Sequence, residues 1–271
     1  MDLLKALILG IIQGLSEFLP ISSSGHLVIA EYLMDFRQGG LAFEVFVHFG
    51  TLLAILWAFR KDICLLLRSL PAVFRLSSPD LPAETREYAL WDIYIIIGSI
   101  PAAVIGLFFE DAIEQIFEDH FFALVMLFFT GIIVWSSRYT RKKRENMNGW
   151  HAFLIGVAQA LAILPGISRS GTTIVTGLWL GIPRLKAARF SFLLSSPVIF
   201  GATLLKFFDV FENPLPSSEL VTFLAAGVAA AISGYFAIVW LLRIIQEQKF
   251  EWFGVYCVVV SIAGIIFHFL G

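Results

Sequence analysis

The sequence predicts an all-α integral membrane protein, and three observations carry that prediction. Of its 271 residues 58% are hydrophobic and only 15% charged, with a mean hydropathy of +0.84. A soluble domain of this length needs far more polar surface. Six apolar segments approach the ~20 residues that a hydrocarbon core requires. Two further apolar segments carry helix breakers and polar residues at their centres, and each is followed by three of the six spans.

In chain order, the first broken segment runs from Leu3 to Met34 and is interrupted by Pro20 and by Ser22 to Gly25. Its arms, Leu3 to Glu17 and Gly25 to Met34, reach only about 22 Å and about 15 Å at the rise of an α-helix. Neither arm crosses a bilayer alone, so a re-entrant helix pair is expected. Broken backbone at that depth is tolerated only inside protein or along a cavity. Spans are expected at Phe43–Phe59, Trp91–Phe109 and Phe121–Ser137. The second broken segment, Trp150 to Ile182, is interrupted by Pro165-Gly166 and Ser168 to Gly171, and spans follow at Phe190–Phe208, Leu220–Leu242 and Trp252–Leu270.

The broken segments are copies. At a constant offset of 146, Gly10, Gln13, Leu15, Ile21, Ser22, Ser24 and Gly25 match Gly156, Gln159, Leu161, Ile167, Ser168, Ser170 and Gly171. With three spans after each copy, the second copy is turned over, giving inverted-topology repeats over residues 1–149 and 150–271. Loop charge agrees. Arg138, Arg141, Lys142, Lys143 and Arg144 follow the third span, whereas the loops Glu110–His120 and Asp209–Glu219 are acidic. The positive-inside rule then puts the basic cluster in the cytoplasm and both termini outside. In this membrane setting the cluster is not read as a nucleic-acid patch. Lys5 and the apolar run after it resemble a signal peptide in outline. Gln13 and Glu17 break that run and no A-x-A site follows, so it is read as mature sequence. Cys64 and Cys257 are read as buried structural thiols, and Trp91, Asp92 and Lys206 as markers of membrane interfaces.

Chemistry concentrates in the broken segments. Gln13 and Glu17 share one helix face, and a carboxylate near the bilayer centre is a functional residue by default. Ser22, Ser23, Ser24 and Gly25 open one half-helix, and Ser168, Arg169, Ser170 and Gly171 open its counterpart. Two helix N-termini with an arginine make a site for a phosphate-like anion. His26 follows the serines, with Glu17 expected to orient its imidazole toward Ser23 or toward phosphorus. Glu44 and His48 extend the polar region. This frame equally describes a secondary transporter or lipid flippase with a midplane anion site.

At these residues the sequence resembles the bacterial undecaprenyl pyrophosphate phosphatase family. QGLSEFLP with ISSSGH resembles its (E/Q)-x-x-x-E motif through Gln13 and Glu17. PGISRSGTT resembles its P-G-x-S-R-S-x-x-T motif through Pro165, Gly166, Ser168, Arg169, Ser170 and Thr173. The resemblance implies hydrolysis of undecaprenyl diphosphate to the monophosphate and phosphate, recycling the carrier for cell-wall glycan synthesis. It implies Glu17, His26, Ser23 and Arg169 as catalytic residues. Ser22, Ser24, Gly25, Ser168, Ser170 and Thr173 would bind phosphate, with Gln13, Gln159 and Glu44 in support. The nucleophile, Ser23 or His26, stays open. A divalent cation (Mg or Ca) and no organic cofactor are implied, with Glu17 as a candidate ligand; Gln13 stands where many members carry Glu. The expected partners are a polyprenyl diphosphate lipid and the bacterial cytoplasmic membrane, with no nucleic acid and a site open to the outer face. Gly227, Ala230, Ala231 and Gly234 permit close packing within one chain or between two in a homodimer.

Overall fold

The computed structural model describes residues 3–34, 40–109, 116, 119–140, 146–212, 216–247 and 249–270. Among them the secondary structure is helical throughout, with no strand. The helices are α1 (Leu3–Phe18), α2 (Ser23–Leu33), α3 (Gly40–Ala58), α4 (Arg60–Ser69), α5 (Ala83–Phe108) and α6 (His120–Ser136). They continue with α7 (Gly149–Leu161), α8 (Arg169–Trp179), α9 (Arg184–Glu212), α10 (Ser217–Gln246) and α11 (Trp252–Leu270).

Five helices, α5, α6, α9, α10 and α11, are each long and apolar enough to cross a membrane, and α3 with its continuation makes a sixth if counted as one bent span. The expected span Phe43–Phe59 falls on α3 and ends where that helix does. At Phe59 the chain turns by 77° into α4 and the 3₁₀ turn Leu70–Arg75. Arg60, Lys61 and Asp62 cannot follow α3 through hydrocarbon at acceptable cost, and the turn lets them leave its axis. Arg60 folds back over the Trp57 ring at 5.0 Å.

Local signals set several starts. The Asp119 carboxylate accepts the Phe122 amide to begin α6, and the Asn148 side chain accepts that of His151 to begin α7, both at 2.9 Å. These bonds satisfy N–H groups that a first turn leaves free. Of the loop Glu110–His120 only Ile116, Asp119 and the His120 backbone are described, and Arg141 to Arg144 of the basic cluster and the Lys206 side chain lie outside the described residues.

Each broken segment folds as two helices in contact, α1 with α2 and α7 with α8, and each packs on a long helix from the other half. Helix α1 lies along α10 and α7 lies along α5, while α6 pairs with α11. The approach is close enough to exclude side chains: a Cβ on Gly10 would collide with the Ala226 carbonyl, and one on Gly156 with the Gly98 carbonyl. These two glycines are partners under the 146-residue offset, so the copies bury equivalent seams. The small residues of α10 are spent inside the chain, Gly227 against the Phe46 backbone and Gly234 against the Phe18 ring, with Ala230 fully buried.

An aromatic knot fixes the end of α1. Phe192 of α9 meets Phe18 edge-on at 5.9 Å and Phe59 at 5.6 Å, which holds Glu17 beside the core. Trp91 and Asp92 are buried inside the protein: Trp91 packs edge-on against Phe190, and Asp92 accepts the Ser69 hydroxyl at 2.7 Å. Of the thiols expected inside, Cys257 is buried but Cys64, on amphipathic α4, is exposed.

Candidate active site

Between α1 and α2 the chain turns through Leu19 to Ser22. Ser22 takes a positive φ of 67°, a conformation that L side chains seldom adopt. Between α7 and α8 the corresponding turn is carried by Gly166 at φ 90°, where only glycine fits against the Ala123 carbonyl. Thr130 of α6 ties this second turn down, donating its hydroxyl to the Gly166 carbonyl at 2.8 Å and accepting the Ser168 amide at 2.9 Å.

The two turns interlock. The Gly166 amide donates to Ser24 Oγ at 3.3 Å, and Ser170 Oγ donates to the Leu19 carbonyl at 3.1 Å. Within each turn the flanking serines pair identically, Ser22 with Ser24 and Ser168 with Ser170, both at 3.3 Å between hydroxyls. Ser168 also caps α8, accepting the Gly171 amide at 3.2 Å. Two helix N-termini and four hydroxyls thus meet around one small region. Free N–H groups and a positive dipole end favour an anion there.

Glu17 is the hub. Its Oε1 accepts Arg169 Nη2 at 2.5 Å, and its Oε2 accepts the Ser23 hydroxyl at 2.6 Å and the Gln13 amide at 3.0 Å. His48 Nδ1 lies 3.2 Å from Gln13 Nε2 and 4.0 Å from Glu17 Oε2. The Glu17 and Arg169 side chains are only 8% and 14% exposed, so each charge relies on the other in a poorly solvated place. Arg169 does not spend all of its donors: Nη1 is buried with no hydrogen-bond partner among the described residues. The carbonyl oxygen of Gln13 is likewise buried without one.

Two expected contacts are replaced. The His26 imidazole is not held by Glu17; its Nδ1 is 2.9 Å from the Ser22 carbonyl and its Nε2 is 2.7 Å from the Tyr256 hydroxyl of α11. Ser23 is correspondingly bonded to Glu17. Thr173 is fully buried, bonded to Ser191 Oγ at 2.5 Å and to the Arg169 carbonyl at 2.7 Å. It therefore braces Arg169 from behind and does not line the serine cluster. Gly25 stands one residue from Ser24 with open space at its Cβ apart from Ser22 Oγ at 3.7 Å. Gln159 is buried, with neither amide atom paired among the described residues. Glu44 is half-buried on α3, one turn before His48.

Sequence reasoning missed Thr130, Ser191 and Tyr256. Each is a lone polar residue in an apolar span with no neighbouring motif, so its role depends on a helix packed beside it. His48 carried a weak signal, as an imidazole four residues after an acid.

Residues 6–263 match the family described as Bacitracin resistance protein BacA. The chain is similar to the undecaprenyl-diphosphatase of Christiangramia forsetii, 39% identical with 99% of each chain covered. It is 40% identical to that of Halothermothrix orenii over 98% of both chains. The undecaprenyl-diphosphatase of Desulfosudis oleivorans is 42% identical, with 96% of this chain and 97% of the relative covered.

Proposed function

Because the chain belongs to the bacitracin resistance protein BacA family, we infer that it is a membrane phosphatase. It hydrolyses undecaprenyl diphosphate to undecaprenyl phosphate and inorganic phosphate, recycling the lipid carrier of cell-wall glycan synthesis. The observation that carries the site assignment is the buried Arg169 guanidinium, with one Nη on Glu17 and the other unpartnered among the described residues, on the helix whose start carries Ser168 and Ser170. A diphosphate supplies the acceptors that this donor set lacks, and such preorganised donors stabilise charge on a transferring phosphoryl group.

The nucleophile best supported is Ser23. Its hydroxyl already points at Glu17 Oε2 at 2.6 Å, within the reach expected of a nucleophile and its base. Ser23 Oγ attacks the terminal phosphorus and its proton passes to Glu17. The bond from phosphorus to the bridging oxygen breaks, and undecaprenyl phosphate departs with that oxygen. Water then attacks the phosphoserine, giving a proton to His26, and phosphate leaves as the Ser23 oxygen takes its own proton back from Glu17. Gln13 and His48 hold Glu17 in place. Glu44 borders this group, and Ser22, Ser24, Ser168 and Ser170 complete the phosphate cradle.

A divalent cation belongs to this proposal. Among the described residues no three His, Cys, Asp or Glu side chains gather into a metal cage. The unpaired Gln13 carbonyl oxygen beside Glu17 nevertheless suits a hard ion that takes most of its ligands from substrate phosphates and water. When bound, such an ion neutralises charge across the diphosphate oxygens. We also place both termini and the opening of the site on the outer face. In support, Arg60 over Trp57 at 5.0 Å and Arg138 over Trp135 at 4.6 Å put cations at the ends of α3 and α6, which the positive-inside rule assigns to the cytoplasm.

The test is phosphate release from a C15 or C55 prenyl diphosphate by purified protein in detergent, with and without chelator. Wild type should turn over without any gradient, and Arg169→Ala should lose activity by about 10²–10³-fold. Diphosphate binding with no phosphate release would instead mark a transporter. A phosphoserine trapped at Ser23 supports the nucleophile, and a base-stable, acid-labile adduct would overturn it.

A further inference from the structure

His26 lies within the site, yet it is bonded to neither Glu17 nor Ser23 among the described residues. Its Nδ1 faces the Ser22 carbonyl at 2.9 Å. A carbonyl only accepts, so Nδ1 carries the proton, and in the neutral ring Nε2 holds the lone pair. That lone pair meets the Tyr256 hydroxyl at 2.7 Å, which is therefore the donor. The two rings are also nearly parallel, 15° apart with centroids 5.6 Å apart. The adjoining residue fastens the same region: the Cys257 thiol donates to the Pro20 carbonyl at 3.4 Å. Two consecutive residues of α11 thus grip the α1–α2 break from the far end of the sequence. Tyr256 stays 42% exposed, at the edge of the bundle.

We propose that Tyr256 is a positioning residue for phosphoryl transfer: by stacking on the His26 imidazole and donating to its Nε2, it fixes the ring with the lone pair presented where the proton-yielding water must stand. This rests on the hydrolase reading above, in which His26 takes that proton. The strained Ser22 backbone holds one nitrogen and α11 holds the other. In the resting enzyme the imidazole can then neither flip nor swing, so it is already oriented when the water arrives, and that entropy is met by the fold and not by the substrate. The Tyr256 hydroxyl and the water compete for the same lone pair, so the hydroxyl yields its place as the water enters.

The experiment uses full-length protein in detergent with a C15 prenyl diphosphate, comparing wild type, Tyr256→Phe, Tyr256→Leu, His26→Ala and the double variant His26→Ala/Tyr256→Phe. Phenylalanine keeps the stacking ring and removes only the hydroxyl. Its kcat should fall about tenfold, the scale of one hydrogen bond, with KM within about twofold and an unchanged thermal transition. Tyr256→Leu should lose more, because stacking goes as well. In the His26→Ala background Tyr256→Phe should cost nothing further, since the two residues act as one unit. A second readout is independent of turnover. In protein labelled with ¹⁵N-histidine, the His26 Nε2 resonance, identified by its absence in His26→Ala, should move toward that of a ring nitrogen without a donor in Tyr256→Phe. Wild-type kcat in Tyr256→Phe, or an unmoved Nε2 resonance, would reduce Tyr256 to a packing residue and overturn the proposal. Absence of phosphate release from folded wild type is a different failure, because it removes the hydrolase reading on which this one stands.

Discussion

The two broken helix pairs share a scaffold and divide its chemistry. Both place a pair of serines 3.3 Å apart at the head of the returning helix, and both press a glycine-bearing arm against a backbone carbonyl of the opposite half. At the positions that differ, the first pair has Glu17, Ser23 and His26 where the second has Ile163, Arg169 and Thr172. Acid, hydroxyl nucleophile and imidazole fall in one copy, and the guanidinium in the other. A duplicated fold thus supplies two anion-binding helix ends of like sign. Only divergence at three positions supplies the unlike charges that phosphoryl transfer needs.

The largest effect should come from separating those charges. Arg169→Ala leaves Glu17 buried and unpaired, which is expected to cost about 3–5 kcal/mol of stability, and Glu17→Ala leaves Arg169 in the same state. Replacing both, as Glu17→Gln/Arg169→Met, should recover much of that stability while activity stays as low as in either single variant. Thermal unfolding in detergent beside phosphate release separates the two quantities. If activity recovered with stability, the pair would be a structural link and the division of labour would be wrong.

How far the sequence announced this arrangement follows from cost. Glu17 and Arg169 are visible because charges are expensive at membrane depth. The breaks are visible because Pro20, Pro165 and Gly166 sit where spanning helices would need their centres. The 146-residue offset gave the copies away through paired Gln, Ser and Gly, which apolar segments rarely share by chance. What stayed hidden depends on neighbours distant in sequence. The 77° turn after Ala58 is a balance between the charge of α4 and its packing on α5. Asp92 resembles an interface marker until Ser69 is placed against it. Assigning His26 to Glu17 was reasonable from sequence order, but the Ser22 carbonyl and a tyrosine 230 residues away take the two ring nitrogens.

The equivalence of the scaffold can be probed where the copies agree. Gly10→Ala would drive a methyl group into the Ala226 carbonyl, and Gly156→Ala into that of Gly98. Each should destabilise by about 1–3 kcal/mol through forced backbone shifts, and by similar amounts if both seams bear equal load. Apparent melting temperatures in one detergent make the comparison. A large loss at one glycine with none at the other would mean that one copy carries the fold and the other is only held against it.

The smallest effect should appear at the residues that match in type but not in use, Gln13 and Gln159. Gln13 donates to Glu17 and approaches His48, so Gln13→Leu should lower kcat about tenfold, on the scale of one hydrogen bond. Gln159 is equally buried, but neither of its amide atoms has a partner among the described residues, and such a group costs about 1–3 kcal/mol where it sits. Gln159→Leu should therefore leave turnover within about twofold and raise the melting temperature slightly. A side chain kept by duplication after its task has gone is cheap to replace. If Gln159→Leu instead abolished turnover, the second copy would hold a polar function that its hydrogen bonds do not reveal, and the chemistry would be shared more evenly than the charges suggest.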